Sequence, residues 1–378
     1  MRSLIIATSL LLVGQPGNAA VENGQIRGDH PPAVKQAEAA PEAGLVVDRE
    51  VTLKGSLRGS LDVRWSGGST LLLAVQGTGV VEIPATQSDP VQVRITVDGQ
   101  DSWNTSRVAV AGDYVVFASE LFVYGWKGRR GEVSLERSPF FEAIGDLDAQ
   151  GDHFAVLGLH RDSDRILAPK GIIAWIGRVG DASGSPTPIL ASTSGPGAVL
   201  MDNCPTFGIG GVRFLPDGSL LVVPGAEPGA FRLSASGELL DTWDLDSLGI
   251  GADCSFGTDK ALLYGRDPHA RWGFLNKYRT VDEILIFRGK PALVVRRADE
   301  AGSRWQLVLL EPGGGSEVLN LPLASPSKYA HIRGDVLSSE IVLLVYDDTW
   351  FLAADDDLRS GTQVARLVYL RDLSPAKK

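Results

Sequence analysis

One strand–turn–strand pattern recurs seven times along this chain, and it limits the possible folds more than any other feature. Its cleanest copy is Val212-Arg213-Phe214-Leu215-Pro216-Asp217-Gly218-Ser219-Leu220-Leu221-Val222-Val223: a short apolar run, a turn, and a second apolar run. The turns fall at Gly68, Gly112, Gly151, Gly218, Gly257, Gly289 and Ser338, spaced 44, 39, 67, 39, 32 and 49 residues apart. Glycine suits such turns because it adopts positive φ without strain. The fourth copy contains four candidate strands, Val212–Leu215, Leu220–Val223, Ala230–Leu233 and Leu239–Trp243. Their imperfect, aliphatic alternation is expected of sheets covered on both faces.

Short strands repeating about every 45 residues imply an all-β chain folded as a single β-propeller. Seven turns imply seven quasi-repeats, with six blades plus a degenerate one as the alternative. The fifth copy is the irregular one. After Ala261-Leu262-Leu263 it loses alternation, and its turn lies only 32 residues before the next. A two-sheet sandwich would not repeat at this period. No stretch of about a dozen residues keeps a capped helical period. The run Leu45-Val46-Val47-Asp48-Arg49-Glu50-Val51-Thr52-Leu53 precedes the first copy and is expected to pair with the segment around Val364–Leu370. Such closure would remove an open sheet edge.

The N-terminus reads as an export signal over residues 1–19. Arg2 supplies the charge, ten apolar residues run from Leu4 to Val13, and small residues precede a cleavage point after Ala19. Ten apolar residues are too few for a bilayer, which needs about 20. Residues 20–44, rich in Ala, Pro, Glu and Gly, read as a disordered linker. The propeller then occupies 45–373, with a short tail at 374–378. A net charge of −10 and an isoelectric point near 5.1 disfavour nucleic acid as a partner. The two cysteines, Cys204 and Cys254, form an even count in an exported chain and are expected to be bonded. A monomeric, secreted or periplasmic bacterial protein is the expectation.

In its strand and turn pattern the repeat region resembles exported propellers of the NHL-repeat and periplasmic Tol-system types. That group includes lactonases, quinone-dependent dehydrogenases and pure binding scaffolds, so the resemblance implies a fold and not an activity.

Three segments depart from the repeat. His160-Arg161-Asp162-Ser163-Asp164-Arg165, followed by Lys170, reads as a polar ligand contact or as a solvated loop whose charges pair among themselves. Asp202-Asn203-Cys204 offers oxygen atoms, but without an Asp-x-Asp-x-Asp-Gly loop these are expected to cap backbone rather than bind metal. The third, 266–279, concentrates Arg266, His269, Arg271, Lys277 and Arg279 beside Trp272, Phe274 and Tyr278. Arginine forks bind carboxylate or phosphate and aromatic rings stack on ligands, so Arg266, His269, Arg271, Trp272 and Arg279 are the principal ligand-binding candidates. The alternative is that Arg271 and Arg279 brace the irregular repeat.

No nucleophile elbow, zinc spacing or dinucleotide loop is present, and no catalytic residue, metal or cofactor is assigned. Asp146, Asp253, Asp282 and Asp335, near the starts of innermost strands, are candidates to line a channel. Two functions stay open. One is a non-enzymatic scaffold binding a protein or cell-envelope ligand through one face of the ring. The other is an axial-site hydrolase or lyase acting on a small anionic or sugar-derived substrate, with or without a divalent ion.

Overall fold

The computed structural model of the chain describes residues 44–53, 58–66, 70–76, 79–84, 105–112, 114–119, 122–127, 134–160, 172–179, 186–191, 209–253, 259–260, 263–264, 267–347 and 365–373. The expected signal segment, all of the linker except Gly44, and the tail lie outside these residues.

The described residues fold into antiparallel units laid out in chain order. The first comprises β2 (Arg58–Trp65), β3 (Thr70–Gln76) and β4 (Gly79–Pro84). The second comprises β5 (Thr105–Ala111), β6 (Tyr114–Ser119), β7 (Phe122–Lys127) and the first half of β8 (Ser134–Gln150). β8 pairs with β7 up to Phe140 and from Phe141 onward with β9 (His153–His160), so it also begins the third unit. β10 (Ile172–Arg178) and β11 (Thr187–Ala191) complete that unit. The fourth is β12 (Gly211–Phe214), β13 (Leu220–Val223), β14 (Gly229–Leu233) and β15 (Leu239–Asp244), within one residue of the strand limits expected from sequence.

The fifth unit is β16 (Arg279–Phe287), β17 (Lys290–Asp299), β18 (Gly302–Leu310) and β19 (Ser316–Ser325). The sixth runs β20 (Ala330–Leu337), β21 (Glu340–Asp347) and β22 (Ala365–Asp372), and takes its fourth strand from β1 (Leu45–Leu53). β1 pairs antiparallel with β22 from Leu45↔Asp372 to Leu53↔Ala365. This is the long-range pairing expected from the sequence.

Hydrophobic clusters lie between successive units. Leu72, Ala74 and Val80 of the first meet Val108, Phe117 and Trp126 of the second. Leu215, Leu221 and Trp243 of the fourth meet Ile284, Leu293 and Val308 of the fifth. Leu344, Tyr346 and Leu367 of the sixth meet Leu61, Leu71 and Ile83 of the first. The first strands of the units pack side by side, β2 on β5, β5 on β8, β8 on β12, β12 on β16, β16 on β20, and β20 on β2. Tight turns follow β12 and β20. Gly218 adopts φ +82° in the first, and Ser338 takes φ +59° at the corresponding place in the second.

The fifth sequence copy departs from expectation. Between β15 and β16 no strand occurs among the described residues, and α1 (Pro268–Leu275) appears instead. Its start is specified locally. The Asp267 side chain accepts from the N–H groups of His269 (2.8 Å) and Ala270 (3.3 Å), and Pro268 occupies the first turn where no N–H is needed. A general shortage of helical signals concealed this eight-residue helix.

Candidate functional site

The first strand of each unit has one side that no neighbouring strand pairs: β2, β5, β12, β16 and β20 are edge strands, and β8 from Phe141 onward pairs with β9 alone. Charged side chains satisfy backbone groups on that side instead. Asp62 accepts from the N–H of Val108 (3.0 Å), Asp146 from Val212 (2.8 Å) and Asp148 from Phe214 (2.7 Å). Asp282 accepts from Ile332 (3.3 Å), Glu283 from Gly334 (3.4 Å) and Asp335 from Trp65 (2.9 Å). Arginines serve the carbonyls. Arg107 donates to Gly145 (2.8 Å), Arg213 to Ile284 (2.8 Å), Arg64 to Gly334 (3.0 Å) and Arg333 to the Asp282 carbonyl (2.9 Å). Every junction between neighbouring first strands carries at least one such clamp.

The same side chains neutralise one another. Glu283, fully buried, lies 3.0 Å from Arg213, 3.6 Å from Arg64 and 3.7 Å from Arg333. Burial alone would raise its pKa, but Arg64, Arg213 and Arg333 outweigh burial and hold it down at about 2. Asp146 sits 3.8 Å from both Arg64 and Arg107 and 3.9 Å from Arg333. Its pKa is raised, by burial first and then by the Glu283 charge. Gly211 is required beside it, since a Cβ there would stand 2.8 Å from Asp146 Oδ2.

The candidate channel acids therefore separate. Asp146 and Asp282 are buried in this charged core, Asp335 joins it from the rim, and Asp253 is exposed. Asp202 lies outside the described residues. Among the described residues, no three His, Cys, Asp or Glu side chains gather to hold a metal ion. Asp146, Asp282 and Asp335 alternate with arginines and accept from the N–H groups of neighbouring inner strands.

At the end where the chain enters the first strands, α1 covers a small apolar cap. Trp272, Phe274 and Leu275 pack with Ile209, Ala226 and Ala252, and half-buried Tyr264, Tyr278 and Tyr329 flank them. Trp272 is 2% exposed. Its ring stands 4.5 Å from the His331 ring, and the Arg296 guanidinium lies 5.1 Å from it. His331 Nδ1 lies 3.6 Å from Asp282 Oδ1, while the other oxygen of Asp282 accepts from Trp305 Nε1 (2.8 Å). Arg296 donates to the Ala330 carbonyl (2.9 Å), to Asn276 Oδ1 (2.8 Å) and to the Lys328 carbonyl. Trp272 thus links the helix to β17 and β20 from the interior.

The other candidates divide between surface and brace. His269 and Lys277 are exposed and Arg271 is half-buried. Arg279, the first residue of β16, donates to the Leu248 carbonyl (2.6 Å) and to Gln306 Oε1 (2.7 Å), as a brace would. Arg266, Lys170, Cys204, Cys254 and the side chain of His160 lie outside the described residues. Sequence reading missed Arg64, Arg107, Arg213 and Arg333, although a regularity marks them. Arg107, Arg213 and Arg333 stand five residues before their turns, Arg64 four before Gly68, and Asp146 five before Gly151. Glu227, in the loop from β13 to β14, was also missed; it is buried, and desolvation raises its pKa to about 7.

At the opposite end, a cleft of about 250 Å³ opens between the fourth and fifth units. Leu215, Pro216, Trp243, Pro291, Leu310 and Pro312 line it, with the Asp217–Arg232 pair at one side.

No family model matches the chain, and none of the curated proteins does. Solved structures do. A member of the DUF4221 family from Bacteroides vulgatus aligns at TM-score 0.51 and 9% identity, over 87% of this chain and 98% of that one. Streptogramin B lyase aligns at TM-score 0.47 and 8% identity, over 87% and 99%. A protein of unknown function from Bacteroides thetaiotaomicron aligns at TM-score 0.48 and 10% identity, over 86% and 75%. At these identities the likeness to the DUF4221 structure is one of fold alone. No helix among the described residues is long and apolar enough to cross a membrane.

Proposed function

We propose that the chain is an exported six-bladed propeller, closed by the β1–β22 pair, that binds a protein or cell-envelope ligand without transforming it. The observation that carries this reading is the unequal dress of the two ends. The connections 161–171, 192–210, 245–278 and 348–364 run to 11, 19, 34 and 17 residues and attach at the end where chains enter the first strands, while 85–104, of 20 residues, leads from the other end to this one. At the other end, the turns closing the first strand pairs, such as 112–113, 151–152, 288–289 and 338–339, take two residues each. Long connections on a rigid sheet scaffold are where binding residues concentrate. The acids of the inner strands are committed to arginines and backbone N–H groups, which favours binding over the hydrolase or lyase alternative.

A thermal-shift screen with anionic metabolites, calcium and magnesium tests the reading. A ligand at 100 times its Kd stabilises by about 2.7 kcal/mol. A binder should raise Tm, remain chemically unchanged after incubation, and lose its effect in the surface variant His269→Ala/Lys277→Ala. Conversion of the ligand to product would instead establish the enzymatic alternative.

The disulfide belongs to the same proposal. Ile209 and Ala252, five residues after Cys204 and two before Cys254, share one apolar cluster, which supports the pairing. Peptide mapping of periplasmically expressed protein under non-reducing conditions should recover the 204–254 pair. Recovery of both thiols free would remove it.

A further inference from the structure

Three arginines stand directly opposite one another on three adjacent strands of the fifth unit. Arg279 of β16 pairs with Arg297 of β17, and Arg297 pairs with Arg304 of β18. Residues directly opposite in antiparallel strands project to the same side with Cβ atoms roughly 4.5–5.5 Å apart, and like charges so placed repel. The repulsion is unrelieved among the described residues. Arg297 and Arg304 are exposed, and neither side chain has a hydrogen bond or ion pair among the described residues. Asp299, two residues along β17 on the same side, accepts instead from the N–H of Ala301 (2.8 Å). Arg279 is fixed behind them by its bonds to Leu248 and Gln306. Its pKa is lowered, by burial first and then by the Arg297 charge. Such a row is unexpected in a chain of net charge −10, where acids are available to break it.

We infer that the Arg279–Arg297–Arg304 row is an oxyanion-binding site, which takes a phosphate or carboxylate group of the ligand. Arg297 and Arg304 offer two unoccupied planar forks, the geometry that grips either group through paired N–H donors. Arg279 supplies a third, pre-positioned positive charge. The row lies at the end of β16 that follows α1, so it deepens the binding role proposed for that end by naming the chemistry recognised.

The test uses the full mature chain at low, matched ionic strength, with inorganic phosphate and citrate as probes and chloride as the reference salt. Wild-type protein should gain about 2 °C or more in Tm from phosphate, citrate or both, and which probe acts identifies the source of the oxyanion. The double variant Arg297→Gln/Arg304→Gln should lose that gain. Without anion, its Tm should equal or exceed that of the wild type, because the repulsion has been removed. Arg178→Gln, an exposed arginine on β10, should behave as wild type. The site is overturned if neither probe shifts the wild type, if the double variant keeps the shift, if Arg178→Gln loses it equally, or if the double variant is destabilised without anion. A response to some other ligand that survives the double substitution overturns this site while leaving the broader binding role intact.

Discussion

Glu283→Gln is expected to lower the unfolding free energy by about 3–5 kcal/mol, the usual cost of removing one partner from a buried ion pair. Glu283 has no access to solvent and faces three guanidiniums, those of Arg213, Arg64 and Arg333. The amide preserves the volume and can still accept from the N–H of Ile284, 2.9 Å from the native carboxylate. What it removes is a negative charge around which the other charges are arranged. Equilibrium urea unfolding should show a lower midpoint with little change in slope, because the surface exposed on unfolding is the same.

The pH profile separates loss of this charge from loss of shape. The Glu283 pKa is depressed to about 2 in the folded protein, against about 4.3 for a free glutamate. Its stabilisation is therefore complete above the unfolded value and is lost as pH falls from about 4.3 toward 2. Asp146 and Asp148 have raised values, so their contribution has the opposite sign and favours the folded state on the acid side. Wild type minus Glu283→Gln should carry chiefly the first effect, together with the change in Asp146 that follows loss of the Glu283 charge, with a stability difference that shrinks below pH 4. A difference independent of pH would mean that packing, and not charge, is lost.

Trp272→Ala should cost about 3–5 kcal/mol as well, for a different reason: it empties a ring-sized volume under α1. The indole contacts the His331 ring, the Arg296 guanidinium and, edge-on at 6.5 Å, the Tyr329 ring. Removing it leaves Arg296, itself buried, without its aromatic cover. A loss of this size should lower Tm by roughly 5–10 °C, and Trp272→Phe should recover much of it. Ligand binding by the folded fraction should persist, because a ring 2% exposed has no surface to offer a ligand. Unchanged Tm with abolished binding would show that the ring swings out to meet the ligand.

The strands of the fourth unit and the β1–β22 pairing were legible because they rest on two local signals, aliphatic runs of strand length and turns built on Gly. The fifth copy misled for the same reason. Ala261-Leu262-Leu263 has the composition of a second strand, yet the chain beyond it is governed by Asp267-Pro268, a helix-start signal too short to produce visible amphipathic periodicity. The charged core was half legible. Asp146, Asp282 and Asp335 stood out as acids on inner strands, whereas Arg64, Arg107, Arg213 and Arg333 resembled ordinary outward-facing strand positions. An arginine in an alternating strand signals burial only once its partners across neighbouring units are known, and those partners lie tens to hundreds of residues away. The cross-strand row of Arg279, Arg297 and Arg304 was invisible for a related reason, since it exists only through register.

The pairing of β1 with β22 also sets a timetable for folding. Leu45 and Asp372 are partners at opposite ends of the domain, so the sixth unit cannot be completed until almost the whole chain has emerged. Until then β1 waits as a lone strand with both edges open, the state in which strands pair with the wrong chain. Its sequence is suited to waiting. Asp48, Arg49 and Glu50 interrupt the apolar run at its centre, and the register shifts between Val47 and Arg49, so β1 is a poor template for a flat foreign strand. A chain crossing a membrane unfolded would deliver β1 first and its partner last, and the charges at 48–50 guard the interval between them.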